Sequence, residues 1–360
     1  MAICALRLRV AAACGLGSGS RRGLMAAAGR TFCPLAAPLS RRMSSTPRTT
    51  PRQLQQVGQL ETPKKESYAA GQLFLHRVFG YRGVVLFSWL TCLYDRNCTG
   101  RRHPSSDKRA PGGSEEMQNQ KLMCYQVLVD SRDCPHIRAH VEAVAFLAND
   151  DDSPALYAIP GLDYANHDDI LPYSSNDSRP IHHELFDHFF TATSENVSSS
   201  GTLRHTSEPL QTWQSKQQPW LKLSSIHRET TEGIRVSAMP FYMGMRETRS
   251  TRVYWWRYFI RLENLTESPV QLRERHWRIF SLSGTLETVR GRGVIGREPV
   301  LSREQPAFQY SSHVSLQSPS GHMWGTFLME RGDGDSFDCR IPPFALESRT
   351  EDQPECGRTK

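Results

Sequence analysis

Three glycines near residue 293 have the spacing of a dinucleotide-binding loop. They spell Gly-x-Gly-x-x-Gly over residues 291–296, a pattern that holds a pyrophosphate at the N-terminus of a helix in strand–turn–helix units. Such a site needs a long helix after the last glycine, which Pro299 disfavours, and an acid for the ribose about 20 residues further on. No acid lies between residues 305 and 329. We therefore expect a structural loop whose glycines permit positive φ, with an anion-binding loop or a nucleotide site as alternatives.

Arginines cluster around the same glycines. Six of them lie between residues 273 and 298, a stretch whose acids are Glu274, Glu287 and Glu298. If neighbouring strands align these arginines, they form a local positive patch for phosphate or a partner protein; otherwise they are solvated residues on exposed strand faces. The candidate anion- or partner-binding residues are Arg290, Gly291, Arg292, Gly293, Gly296 and Arg297. The candidate partner surface consists of Arg273, Arg275, Arg278 and Trp255, whose aromatic ring could anchor an interface.

Other motifs that could do chemistry are incomplete. His183 and His188 flank a sequence similar to a zinc-protease motif, but their spacing places them about 140° apart around a helix. No cysteine or histidine spacing matches a zinc site, and no nucleophile elbow or P-loop occurs. The acids at 150–152 and 168–169 have no positioned His or Ser partner, which predicts solvated turns. We expect no catalytic residue, no metal and no cofactor.

The charge of the chain is concentrated at its N-terminus. The formal net charge is +7, and residues 1–52 contribute nine arginines and no acid, so the remainder carries −2. An Arg- and Ser-rich segment without acids is typical of a mitochondrial transit peptide, with a secretory signal or a disordered tail as alternatives. The near-neutral remainder makes DNA binding possible but weak. No apolar run approaches the roughly 20 residues of a membrane span, so we expect no membrane partner.

Strand patterns begin at residue 71. Two β-rich runs at 73–78 and 84–89 flank a Gly-bounded aromatic turn, which indicates a hairpin. Further runs at 125–130, 143–147 and 155–159 predict a small barrel over 71–175. The polar stretch at 97–121 is too long for a compact turn and predicts a flexible insertion in that barrel.

A change of pattern at 176–229 predicts a helical connector. Helices are expected at 181–190 and 209–217, the second capped by Ser207. From Ile234 the pattern is strongly β, and in the strand predicted at 252–262 every even position from 254 to 262 is apolar while the odd positions mix apolar residues with arginine. One buried and one mixed face, followed by more short strands, predict a β-sandwich over 230–347, with a disordered tail at 348–360.

Two stretches resemble known families. The C-terminal one is similar to the ApaG family, and the N-terminal one is similar to the YccV/HspQ family. The ApaG-like residues lie at 258–265, 270–273, 276–277, 289–296, 299–301, 308–310 and 341–344, and the YccV-like residues at 80–85 and 125–128. The resemblance implies a mainly β protein in which an SH3-like barrel precedes a fibronectin- or immunoglobulin-like sandwich, in agreement with the strand pattern.

The combination of a leader with both modules resembles a family of non-enzymatic adaptors found in mitochondria and the nucleus. This resemblance implies protein partners: a DNA polymerase delta subunit, the sliding clamp, the primase-polymerase and the matrix Clp protease. The expected role is therefore in DNA replication, in damage tolerance and in regulation of that protease. Two β modules on a helical hinge would bind these partners. The alternatives are a phosphate- or nucleotide-binding enzyme that uses the loop at 291–296 and a DNA-binding module formed by the barrel.

Overall fold

The computed structural model describes residues 57–97, 119–137, 142–147, 155–192, 204–247 and 251–348. Several sequence predictions concern residues outside these ranges. They are the transit peptide at 1–52, most of the insertion at 97–121, the acids at 150–152 and the tail from residue 349 onward.

Within the described residues the chain forms nineteen β-strands and two α-helices. The strands before the second helix are β1 (Gln59–Leu60), β2 (Leu73–His76), β3 (Arg82–Asp95), β4 (Asn119–Val129), β5 (Glu142–Leu147), β6 (Ala155–Pro160), β7 (Leu162–Asn166), β8 (Ile170–Ser174), β9 (Phe190–Ala192) and β10 (Arg204–Thr206). The strands after it are β11 (Ser225–Thr231), β12 (Ile234–Glu247), β13 (Arg252–Asn264), β14 (Val270–Ser281), β15 (Leu286–Arg292), β16 (Val300–Leu301), β17 (Ala307–Leu316), β18 (Ser320–Arg331) and β19 (Ser336–Glu347). The helices are α1 (Phe186–Phe189) and α2 (Glu208–Leu221).

The N-terminal module is built around the predicted hairpin. β2 and β3 pair antiparallel, β4 pairs with β3 and β7, and β8 pairs with β2. The insertion prediction is wrong at its C-terminal edge, because residues 119–121 already belong to β4 and pair with β3. β5 and β6 form a separate two-stranded sheet.

The connector contains less helix than the sequence pattern predicts. α1 is a single turn, because His183 holds the preceding residues in a different conformation: its Nε2 donates to the carbonyl of Pro160 at 2.7 Å and its Nδ1 accepts from the Leu185 amide at 3.0 Å. α2 begins after Ser207, as predicted. The Ser207 hydroxyl, however, donates to the carbonyl of His188 at 2.7 Å and makes no cap to the helix. None of the described helices is long and apolar enough to cross a membrane.

The C-terminal module is a two-layer sandwich. One layer is the sheet β15–β14–β18–β19 with β16 added to β14, and the other contains β11, β12, β13 and β17. The even positions 254–262 of β13 lie in the core between the layers, as the alternation predicts. Trp256 from one layer and Trp277 from the other are both buried there. One of the short strands expected after β13 is in fact long, since β14 runs over twelve residues.

The two modules share one sheet. β3 of the barrel and β11 of the sandwich pair in parallel, with Ser225 opposite Cys92 and Arg228 opposite Asp95. The result is a ten-stranded sheet with the order β1-β8-β2-β3-β11-β12-β13-β17, to which β4 and β7 are attached. α2 lies against this junction, where Trp213 contacts Phe87. The helical connector is present, but it is not a hinge, because backbone hydrogen bonds of the shared sheet join the modules directly.

Candidate functional site

The glycine-rich segment is a tight connection that follows β15. Gly293 and Gly296 have φ values of 59° and 73°, and Ile295 between them has 45°. The backbone N–H groups of Val294 and Arg297 each donate to the other residue's carbonyl at 2.8 Å. No helix begins at Gly296, so the segment lacks the N-terminal dipole with which a dinucleotide loop binds pyrophosphate. The loop therefore has the positive φ values at Gly293 and Gly296 that a structural loop requires.

We expect Gly293→Ala to lower the free energy of unfolding by about 2–4 kcal/mol. A Cβ atom at this position would lie 2.3 Å from the carbonyl oxygen of Arg297, in addition to the cost of positive φ for alanine. Gly296→Ala is the matched control, since its φ is also positive but nothing lies within 4 Å of its Cβ position; it should cost about 1 kcal/mol. Urea denaturation of both variants measures the difference, and equal losses would contradict the role assigned to the close contact.

The structure brings most of the arginine candidates together on the hairpin of β14 and β15. They do not form a concentrated positive patch, because acids lie among them. The ion pairs are Arg290 with Glu274 at 3.1 Å, Arg292 with Glu298, and Arg273 with both Glu298 at 3.0 Å and Glu330 at 2.8 Å. Hydrogen bonds from Arg292 and Arg273 lower the pKa of Glu298 below its ordinary value, so this acid stays ionised and neutralises the arginines.

Of the other three arginines of the hairpin region, one bonds to the loop backbone and two are exposed. Arg275 donates to the carbonyls of Arg292 and Gly293 at 3.1 and 2.7 Å, and its guanidinium lies 3.2 Å from where a Cβ of Gly291 would be. Arg275 therefore stabilises the loop conformation through these hydrogen bonds to its backbone. Arg278 and Arg297 are exposed and have no ion pair within the part of the chain that the structure describes.

Trp255 lies away from these arginines. It belongs to β13, in the other layer of the sandwich, and is half-buried with its ring 5.8 Å from that of His313. Its side chain is on the face of β13 opposite the sandwich core. The candidate partner residues Arg278 and Trp255 therefore do not share one surface patch.

The mixed face of β13 has an environment that the sequence did not reveal. Arg257, Phe259 and Arg261 are only 6%, 1% and 5% exposed, because the barrel covers this face. The guanidinium of Arg257 lies 5.2 and 5.1 Å from the ring centres of Phe241 and Phe259, within cation–π range. Two opposite faces of the strand are thus buried, one in the sandwich and one at the junction of the modules.

Arg261 forms the central ion pair of this junction. Its two terminal nitrogens both donate to the carboxylate of Asp169, one of them at 3.2 Å, and it also reaches Glu263 at 3.2 Å. Burial alone would raise the pKa of Asp169, but the charge and hydrogen bonds of Arg261 outweigh it and lower that pKa. The prediction of a solvated turn at 168–169 is therefore wrong for Asp169, which is 6% exposed, although Asp168 is exposed.

A second buried acid, Asp163, also links barrel and sandwich. It accepts two hydrogen bonds from the side-chain amide of Gln309 in β17, at 2.9 and 3.1 Å, and one from the Tyr81 hydroxyl at 3.3 Å. Burial raises the pKa of Asp163 to about 7, and the hydrogen bonds offset this only in part. Nearby, burial lowers the pKa of His76 to about 4, so this imidazole is neutral at physiological pH.

A cavity of about 560 Å³ opens between the modules beside this network. We call it the inter-module cleft. Its charged lining residues are Lys65, Lys121, Asp168, Asp169, Arg228, Arg235, Arg261 and Glu263, and its other lining residues include Leu122, Tyr164 and Ile226. Among the described residues, no group of three or more His, Cys, Asp and Glu side chains is placed to hold a metal ion. Motif spacing could not find this site, since its residues come from distant strands; the arginines on an otherwise apolar strand are the one local signal.

Two family models match the chain. The ApaG domain model covers residues 245–331, and the model described as hemimethylated DNA-binding protein YccV like covers residues 66–197. Protein ApaG of Rhodospirillum centenum is 41% identical over 123 residues, which is 34% of this chain and 94% of the bacterial protein. A whole ApaG protein thus corresponds to one module here.

Relatives with both modules match nearly the full chain. Polymerase delta-interacting protein 2 of Homo sapiens is 59% identical over 337 residues, which is 92% of this chain and 90% of the human protein. The Mus musculus protein of the same name is 60% identical over 324 residues, or 89% and 87% of the two chains. The chain therefore belongs to the family of polymerase delta-interacting protein 2.

Proposed function

We propose that this protein is a non-enzymatic adaptor that binds a subunit of DNA polymerase delta. The observation that carries this proposal is the 59% identity, over 92% of the chain, to a human protein named for that interaction. The relationship by itself supports an interaction role, and the shared sheet gives that role a physical basis. Because β3 and β11 are hydrogen-bonded, surfaces on the two modules keep a constant separation. Such preorganisation lowers the entropic cost of binding a partner at two points.

The exposed hairpin of β14 and β15 is the partner surface that the structure favours. β15 is the edge strand of its sheet, and nearly all of its residues are exposed. Leu282 and Leu286 are 59% and 58% exposed there, beside Arg278, which has no ion pair with any described residue. Edge strands pair readily with strands of other proteins, and exposed apolar residues with arginine are common in interface centres. The proposed surface consists of this hairpin and the glycine-rich connection that follows β15, so of the sequence candidates it includes Arg278 and Arg297 and leaves out Trp255.

The remaining partners and the location are part of the same proposal. The resemblance of the two-module chain to its family supports binding to three further partners: the sliding clamp, the primase-polymerase and the matrix Clp protease. A mitochondrial matrix location is supported by the acid-free, Arg-rich composition of residues 1–52, and a share in the nucleus by the resemblance to the family.

DNA binding by the barrel is the second candidate. It is supported by the description of the YccV-like model that matches residues 66–197. The charge of −2 outside the first 52 residues provides little attraction for a phosphate backbone, so we rank it below the protein-binding role.

Immobilised full-length protein should bind purified DNA polymerase delta, and Arg278→Glu with Arg297→Glu should weaken this binding about tenfold. Lys216→Glu, an exposed residue of α2, is the matched control and should bind like the parent. Surface plasmon resonance measures polymerase binding by the parent, the double variant and the control. Duplex DNA is injected over the same surfaces. Absence of polymerase binding would refute the proposal, and strong salt-dependent DNA binding in its place would favour the second candidate.

A further inference from the structure

We infer that the inter-module cleft is a binding site for a small organic polyanion, a molecule with at least two carboxylate or phosphate groups. This goes beyond the adaptor role, which needs only exposed surfaces. The cleft volume of about 560 Å³ is that of a small-molecule site, since such sites typically occupy about 300–1,000 Å³.

The charges that line the cleft do not balance. Five basic and three acidic side chains face it, so the formal surplus is +2. Arg261 already holds Asp169 and Glu263, and Arg235 lies 3.7 Å from Glu263. The acids nearest to the centre of the network are thus neutralised by arginines of the protein itself.

The surplus of +2 is the sum of three other cations and the exposed Asp168. Lys65 and Lys121 are exposed and have no ion pair with any described residue. Arg228 makes only a 3.8 Å contact with Asp95 and a 3.3 Å hydrogen bond to the Ser237 hydroxyl. These cations come from the segment before β2, from β4 and from β11, so they surround the cleft from different sides and suit a ligand with several anionic groups.

A buried donor at the cleft lacks a partner. The Nε of Arg261 is buried and, among the described residues, has no hydrogen-bond acceptor, although both terminal nitrogens donate to Asp169. A buried unsatisfied donor is costly, and such groups are usually paired with protein, water or ligand. This atom has almost no accessible surface, so an anionic oxygen in the cleft would pair with it only after a shift of the Arg261 side chain. The apolar side chains of Leu122 and Ile226 leave room for a carbon skeleton between the charges.

Millimolar citrate or pyrophosphate should raise the unfolding temperature of the full-length protein above that in sodium chloride of equal ionic strength. Lys121→Gln and Arg228→Gln should each weaken the binding about tenfold, because each removes one charge-assisted contact. Lys216→Gln on α2 removes the same charge outside the cleft and should leave binding unchanged. Equal binding by all variants would overturn the proposal. A response to citrate alone or pyrophosphate alone identifies the anionic group as carboxylate or phosphate.

Lysine footprinting of the unmodified sequence provides a readout that does not depend on variant stability. With ligand present, acylation of Lys65 and Lys121 should slow, while that of Lys216 and Lys222 should not. Mass spectrometry of the digested protein measures the four rates. If neither polyanion protects Lys65 or Lys121, the cleft is not a polyanion site.

Discussion

Replacing Arg261 by methionine should lower the free energy of unfolding by about 3–5 kcal/mol. The change removes both hydrogen bonds to Asp169 and leaves its carboxylate buried without its main counter-ion. The barrel and the sandwich would lose their central ionic contact, since Asp169 follows β7 and Arg261 lies in β13. Urea denaturation near neutral pH, followed by far-ultraviolet circular dichroism, measures the loss.

Two further variants distinguish this mechanism from general disturbance of the junction. Arg235→Met removes a half-buried arginine 3.7 Å from Glu263 and should cost less than about 1 kcal/mol. Adding Asp169→Leu to Arg261→Met removes the buried acid that has lost its counter-ion, and it should recover most of the lost free energy of unfolding. A double variant as unstable as Arg261→Met would show that the cost arises from packing alone.

The Arg261–Asp169 pair also predicts an acid limit to stability. The pKa of Asp169 is lower in the folded protein than in the unfolded chain. Its contribution is therefore present above the ordinary carboxyl pKa and is lost as the pH falls through the lower, folded value. In Arg261→Met, the loss of stability caused by protonation of Asp169 at low pH should disappear.

Replacing Asp163 by asparagine should stabilise the protein increasingly as the pH rises. The pKa of Asp163 is raised from 3.8 to about 7 by burial, so its contribution to stability is complete at low pH and is lost as the pH rises toward 7. Asparagine cannot ionise, can still accept from Tyr81, and can pair with Gln309 after rotation of that amide. Relative to the parent, the variant should gain about 2–3 kcal/mol between about pH 5 and about pH 8.

Chemical denaturation of the parent and the variant across that pH range measures this gain. Asp168→Asn is the matched control, because Asp168 is a nearby but exposed acid, and the difference from the parent should stay within about 0.5 kcal/mol at every pH. A stability difference for Asp163→Asn that does not change with pH would mean that Asp163 is ionised in the folded protein throughout.

The junction network shows where sequence patterns stop being informative. Arg257 and Arg261 on the odd face of β13 are compatible with exposure to solvent, and that is the ordinary interpretation of charged residues on a strand. The burial of Arg261 depends on Asp169, which is 92 residues away along the chain. Gln309 and Asp163 are separated by 146 residues. No local periodicity specifies which acid will lie opposite which arginine across a module boundary.

The failed helix prediction has a similar cause. Residues 181–185 have a helical apolar pattern, but His183 forms a hydrogen bond to the carbonyl of Pro160 in β6. His182 also bonds to Asp130 and Ser131, and these contacts together outweigh a helix propensity worth only tenths of a kcal/mol per residue. By contrast, Ser207 followed by Pro209 marks the start of α2 correctly, because Pro209 fixes the backbone φ of the first turn, although the Ser207 hydroxyl bonds to His188 and not to the helix.

The amino-acid sequence by itself determined the mainly β class, the two modules in their order, the core face of β13 and the positive φ of Gly293 and Gly296. Each of these depends on alternation or backbone geometry within a few residues. Only the tertiary structure decided that β3 and β11 make one sheet, that the arginines of the β14–β15 hairpin are largely neutralised, and that a cationic cleft lies between the modules. These features depend on which surfaces meet after folding, and that is set by complementarity between segments far apart in the chain.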